Sequence, residues 1–219
     1  MKAADKQQPA PPGGAATGAW YKCSPPGTCG QGAAATGCFS STYWSDTPPA
    51  GVNTLTPAQA AQQLVKSFQL RGIDVGLAPD PNTAGSKSYV GVPVWMWVNN
   101  PQPLTYGPYD RTATLGGVTI TAEAKVTSIL WNMGDGHTVA CGNPGTAYTP
   151  SRGLADSPTC GYKYAKTSKG QPGGRYTITA TSQWAVTWTG GGDSGTIPIT
   201  KTSTTTAQIG ELQSVNTRG

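Results

Sequence analysis

Charge is scarce in this chain of 219 residues: only 11% are Asp, Glu, Lys or Arg, against roughly 25% in an average soluble domain. Apolar residues are also few, at 36%. Both shortages exclude a coiled coil or helical bundle, which needs Ala, Glu, Lys and Leu at helical spacing. No run approaches ~20 consecutive apolar residues, so no membrane span is expected. There is one histidine, and no two cysteines stand in a CxxC spacing. A structural zinc site therefore lacks its usual ligands, and no metal or cofactor is expected. The G-x-x-x-x-G-K-[ST] loop of phosphate-binding enzymes is also missing. Basic residues outnumber acidic ones for a net charge of +5, but they are scattered. Their densest group is Lys163, Lys166 and Lys169. A nucleic-acid binder would gather them on one stripe, so no nucleic-acid partner is expected. A weakly basic surface still favours an acidic cell-wall polymer through screened electrostatics. The first twenty residues hold no apolar segment of the signal-peptide kind. The expectation is a secreted or surface protein whose signal has been removed.

What is present is glycine (30), proline (19), tryptophan (7) and tyrosine (9). That many aromatics are costly to leave in water, which argues against disorder throughout. In a background low in charge and rich in Thr, Gly and Pro, five cysteines read as disulfides of an oxidising compartment. Cys141 and Cys160 are expected to pair and close a polar loop. Among Cys23, Cys29 and Cys38 two are expected to pair, leaving one free or joined to another chain.

Along the chain, residues 1–50 read as a Pro/Gly-rich arm without a period of 2 or 3.6. Trp20, Tyr21, Tyr43 and Trp44 flank its cysteines; the arm is either a strap on the folded body or a linker. Residues 51–87 read as a helix and a loop packing on the body. Thr56 is the N-cap and Pro57 the first helical position. Ala61, Leu64, Val65 and Phe68 form one stripe, and Gly72 is the stop. Residues 73–87 read as loop. From residue 88 the period becomes 2. SYVGVPVWMWVN is a strand, with Pro93 marking an edge or a bulge. It is apolar on both faces, so Trp95 and Trp97 need a cover, for which the helix or arm is the economical candidate. GVTITAEAKV alternates cleanly, and RYTITATSQWAVTW holds one parity from Tyr176 to Trp188 as one long strand. A GGGDSG turn and a Thr-rich strand follow. The pattern is all-β, of sandwich type.

Trp131-Asn132-Met133-Gly134-Asp135-Gly136 resembles the W-D-F-G-D-G signature of PKD domains. Tyr162-Lys163-Tyr164-Ala165-Lys166 is similar to that family's H-x-Y-A-K, and Pro172 to Thr179 to its P-G-x-Y-x-V-x-L. Asn132, Met133 and Tyr162 depart from the pattern, and residues 141–160 are an insertion. The resemblance covers about residues 110–190. It implies a PKD-like variant of the immunoglobulin-like β-sandwich over 88–215, carried by Trp131, Gly134, Asp135, Gly136, Tyr164 and Tyr176. Trp131 would plug the space between sheets, the glycines would allow a tight turn, and Asp135 would bond the turn backbone. A longer pattern over 88–212 resembles a group of secreted or surface proteins of actinobacteria.

Two catalytic readings stand beside these motifs. Gly192-Asp193-Ser194-Gly195 matches the G-D-S-G of chymotrypsin-like proteases, with His137 as the only base. The interval from His137 to Ser194 is too short for that family's two barrels. Paired-carboxylate glycosidase chemistry is poorly supplied. Calcium at Asp135 would need Asp110, Asp156 or Asp193 from separate loops. Trp95 and Trp97 are either core or an exposed platform. The expectation is a non-catalytic secreted or surface module. It would bind an envelope or extracellular protein within an assembly such as a secretion apparatus or pilus. One alternative is a cell-wall polysaccharide-binding module using exposed Trp; another is a hydrolase using His137.

Overall fold

A computed structural model describes residues 2–3, 11–12, 19–23, 41–45 and 55–212. The pairing expected among Cys23, Cys29 and Cys38 falls on side chains outside the described residues. In chain order the strands are β1 (Lys2–Ala3), β2 (Ala19–Cys23), β3 (Ser41–Ser45), β4 (Val75–Ala78), β5 (Ser88–Tyr89), β6 (Pro93–Val98), β7 (Tyr109–Leu115), β8 (Val118–Asn132), β9 (Thr138–Cys141), β10 (Gly161–Lys163), β11 (Tyr176–Gly190), β12 (Asp193–Ala207) and β13 (Ile209–Gly210). One α-helix, α1 (Pro57–Lys66), precedes β4. Among the described residues the fold is all-β with a single α-helix. In the N-terminal stretch, β1, β2 and β3 form an antiparallel sheet. Trp20 faces Trp44 across it, and their rings meet edge to face at 5.7 Å. A cross-strand aromatic pair of this kind stabilises pairing that no alternation in the sequence announces.

Helix α1 starts as its capping residues dictate. Gln59 N donates to Thr56 Oγ1, and Thr56 N donates back to Gln59 Oε1, a reciprocal capping box. Ala60, Ala61, Leu64 and Val65 are buried. The helix ends at Lys66 and not near Gly72. Ser67 Oγ donates to the Leu64 carbonyl at 2.6 Å, and Gln69 turns the chain with φ 55. A serine that satisfies the last turn's carbonyl ends a helix without glycine. Gly72 serves close approach instead, since a Cβ there would meet the Thr202 carbonyl oxygen at 2.5 Å.

The larger sheet runs β12-β11-β8-β7, with β9 also on β8. β7 pairs with Val118–Ala124, and β9 pairs with Ile129–Asn132. β8 buries Ile120, Ala122, Ala124 and Val126, then Ile129 and Trp131, so its parity flips. The pairing with β11 jumps from Trp184↔Val126 to Gln183↔Ser128. Thr127 is the extra residue, and its hydroxyl donates to the Gln183 carbonyl at 3.1 Å. Without this bulge Ile129 and Trp131 would face solvent. β11 keeps one parity as expected, burying Tyr176, Ile178, Ala180, Trp184, Val186 and Trp188.

The smaller sheet runs β10-β6-β4. Pro93 opens β6 opposite Lys163, where a missing N–H is tolerated. β6 is nevertheless the central strand, not an edge. β4 lies within the segment read as loop; four residues are too few to display a period. β5 and β13 pair in parallel. Helix α1 packs on β7, β8, β11 and β12. Its apolar side chains, those of the larger sheet, and Val94, Met96 and Val98 of β6 belong to one core. The helix therefore does not cover Trp95. The 141–160 insertion does: Tyr148 meets Trp95 edge to face at 5.4 Å, and Trp95 Nε1 donates to the Ala155 carbonyl at 2.8 Å.

Cys141 and Cys160 form the expected disulfide. Cys141 ends β9 in the larger sheet, and Cys160 directly precedes β10 in the smaller one. The bond thus joins two sheets as well as closing the insertion. Its sequence separation is 19. Reduction, or joint replacement of both cysteines by Ala, is expected to cost about 3 kcal/mol. Guanidinium unfolding should show this as a lower midpoint, with a somewhat steeper slope because the released chain unfolds to a more expanded state.

Candidate functional site

The most densely connected polar cluster sits where β8 leaves the larger sheet. Asn132 Oδ1 accepts from Gly134 N, Asp135 Oδ1 accepts from His137 N at 3.0 Å, and Met133 N donates to the His137 carbonyl. Gly134 and Gly136 take φ 79 and 94, which favours glycine. A Cβ on Gly134 would also press into the Thr177 backbone. Trp131 beneath the turn is fully buried.

Three tyrosines tie this turn to the rest of the body. The Tyr162 hydroxyl donates to Asp135 Oδ2 at 2.8 Å. The Tyr164 hydroxyl donates to the Met133 carbonyl at 2.8 Å, in the core. Tyr164 stacks flat on Tyr176 at 4.8 Å and receives the edge of Tyr162 at 4.9 Å. The Tyr176 hydroxyl donates to the Thr167 carbonyl. Trp131, Gly134, Asp135, Gly136, Tyr164 and Tyr176, singled out from the sequence, are therefore brought together. Tyr162 belongs with them, although as a departure from the motif it gave no signal of its own.

Electrostatics follow from this wiring. Burial pushes the Asp135 carboxyl up, but the Tyr162 hydroxyl, the His137 N–H and the His137 ring hold it below its ordinary 3.8. Burial, then the hydrogen bond and charge of Asp135, push Tyr162 up to about 12. Burial raises Tyr164 and Tyr176 as well. His137 Nδ1 lies 3.3 Å from Asp135 Oδ1, with its side chain 67% exposed.

The candidate triad does not assemble. His137 follows the Asn132 end of β8, which pairs with Thr179, whereas Ser194 pairs with Thr189. Ten residues of β11 separate the two, roughly 33 Å of strand. Ser194 N donates to Asp193 Oδ1 beside the two-residue Gly191-Gly192 turn, so GGGDSG acts as a hairpin. Both Asp135 oxygens are engaged within the protein, and Asp156 pairs with Lys163 at 2.8 Å. Among the described residues no group of three or more His, Cys, Asp or Glu is placed to hold a metal.

The two tryptophans offered as a binding surface part company. Trp95 is 1% exposed and is corrected to core, for the insertion seals it. Trp97 is half-buried and borders an open cleft of about 480 Å³ with Asp74, Asp80, Asn82, Asn99 and Tyr148. Sequence reasoning missed this grouping, because its residues come from three separate segments.

No protein-family model matches the chain, and neither a curated protein nor a solved structure is significantly similar to it.

The lowered pKa of Asp135 gives a pH signature. Its stabilising effect is full above the ordinary carboxylate value and is lost as pH falls through the lowered one. Asp135→Asn is expected to remove that part of the acid-unfolding profile. It should also bring the Tyr162 ionisation, followed by ultraviolet absorbance, down from about 12 but not fully to 10, since burial remains. Tyr162→Phe should destabilise by about 1.5–3 kcal/mol near neutral pH by depriving a carboxylate of its donor.

Proposed function

We propose that this chain is a non-catalytic module acting outside the cytoplasm, built as a PKD-like variant of the immunoglobulin-like sandwich, and that it binds a protein partner within a bacterial envelope assembly. The inter-sheet disulfide supports the compartment, since such bonds persist where the surroundings are oxidising. The shared core of the two sheets, with Trp131 at its centre and the glycine turn above it, supports the sandwich reading. The polar cluster at Asp135 suits a frame more than a reaction, because its groups satisfy one another.

The observation that carries the reading is the outer face of the larger sheet. Ser194, Thr189, Thr121 and Thr112 fall in one row across four strands. Thr202–Thr181, Thr204–Thr179 and Thr206–Thr177 continue the pattern on β12 and β11. Many of these side chains are exposed. Threonine offers a methyl and a hydroxyl on a short, stiff stem, which suits a polar protein–protein interface better than a charged surface does.

The edge of β12 is covered by Gly72 at Thr202, and its remainder favours docking on the face over strand addition. Gly190 and Asp193 oppose each other across a two-residue turn. Odd-numbered residues of β12 therefore bond β11, and even-numbered ones point their backbone outward. Pro198 stands at an outward position and offers no N–H, which interrupts an added strand. The test is affinity capture of the disulfide-intact protein from envelope extracts. Parallel capture uses Thr121→Arg/Thr189→Glu, whose opposite charges face each other across β8 and β11 and should leave the melting temperature close to that of the natural sequence. A defined protein set retained by the natural sequence and lost by the variant is expected. Capture of the same set by both would overturn the assignment of this face.

A further inference from the structure

We propose that the cleft beside Trp97 binds a neutral pyranose ring of a glycan chain. This does not rest on the protein-partner reading, which concerns the threonine rows of the larger sheet.

The tryptophan is presented by its cross-strand neighbour. Trp97 on β6 pairs with Gly76 on β4. A Cβ at Gly76 would overlap Nε1, Cε2 and Cδ1 of the indole alike, so the five-membered ring lies over that position. Any side chain at residue 76 would push the ring away. The indole is thus seated against β4, and the remaining ring surface borders the cleft. Its Nε1 donates to no acceptor among the described residues. Trp95, two residues earlier, donates to Ala155 and is sealed.

The 141–160 insertion supplies the facing wall. Val98 N donates to the Pro144 carbonyl at 2.7 Å. Gly145 packs so closely that a Cβ there would lie 2.6 Å from Trp97 Cα. Tyr148 is held by its hydroxyl donating to Gly153 at 3.1 Å and by its ring on Trp95. The polar lining is arranged too. Asn99 Nδ2 donates to Asp74 Oδ2 at 3.0 Å, leaving the other Asp74 oxygen toward solvent. Asp80 Oδ1 accepts from the backbone and side chain of Asn82.

Charge selects the ligand class. Asp74 and Asp80 line the cleft, and no Lys or Arg does. Phosphate, sulfate and uronate groups would meet carboxylates with no counter-charge. Acidic wall polymers, which the net charge of +5 suggests as partners, are therefore not the occupants of this cleft. A neutral pyranose meets each feature. Its C–H face lies on an indole, its hydroxyls donate to carboxylates, and they accept from amide and indole N–H groups. The cleft's volume falls in the range of small-ligand sites. A quaternary ammonium would also enjoy the aromatics and carboxylates, but it leaves the Trp97 N–H without an acceptor.

The experiment is a nitrogen-15 NMR titration of the disulfide-intact chain with hexasaccharides of β-1,4-glucose, β-1,4-N-acetylglucosamine, α-1,4-glucose and α-mannose. Choline and polyglutamate serve as controls. At least one neutral sugar is expected to shift the Trp97 indole N–H and the Asn82 and Asn99 side-chain amides. Asp74→Ala, at an exposed position, should keep the fold and weaken binding several-fold. Trp97→Ala should weaken it about tenfold or more, and Trp97→Phe should recover part of the loss. The proposal is overturned if no sugar in the panel binds. It is equally overturned if binding persists unchanged in Asp74→Ala and Trp97→Ala, or if choline alone produces the shifts. A failed capture from envelope extracts leaves these outcomes untouched.

Discussion

The extra residue that β8 takes in at Thr127 governs how the inner face is covered. Before it, Ile120 to Val126 bury on one parity; after it, Ile129 and Trp131 bury on the other. The same strand thereby passes from β7 on its flank to β9. A strand of fixed parity would have delivered either the first apolar set or Trp131 to the core, not both. Because Trp131 is delivered, the turn after it sits over the core. That is where Tyr164 finds the Met133 carbonyl and Tyr162 finds Asp135. Those contacts in turn bring β10, and with it the smaller sheet, against the end of the larger one.

Legibility in the sequence followed this logic. Elements whose signal is local were readable: the Thr56 N-cap, the long parity of β11 and the glycine turn after Trp131. The disulfide was readable from composition and placement. β8 was read only to Val126, since a bulge breaks the alternation on which strand reading depends. The end of α1 was misplaced because Ser67 closes it with a side-chain bond, while the more conspicuous Gly72 serves a contact with a strand 130 residues away. β4 was too short to show a period. None of these misses concerned hydrophobicity.

The candidate sites divide in the same way. The Asp135 cluster was legible because its members lie in motifs that resemble a known pattern. Its chemistry was not, because that depends on Tyr162 being close enough to claim a carboxylate oxygen. Trp95 and Trp97 have the same residue type, the same strand and the same facing direction, yet one is core and the other borders solvent. The difference is a matter of which neighbour lies over each ring: Tyr148 and Ala155 for Trp95, and Gly76 beneath Trp97.

That division makes the disulfide more than a staple. The insertion it closes does two opposite things to one strand. It removes Trp95 from water, and it stops at Tyr148, short of covering Trp97. Its backbone is fastened to β6 through Val98 and Pro144 and tied to the sheets by Cys141 and Cys160. Polar loops gain little from burial of their own and lose order readily unless fastened. An insertion free at its base would sample positions over either ring, and the boundary between sealed and open tryptophan would blur. Fixing both ends lets a polar, glycine-containing segment define a wall. The disulfide would therefore also keep the cleft in shape.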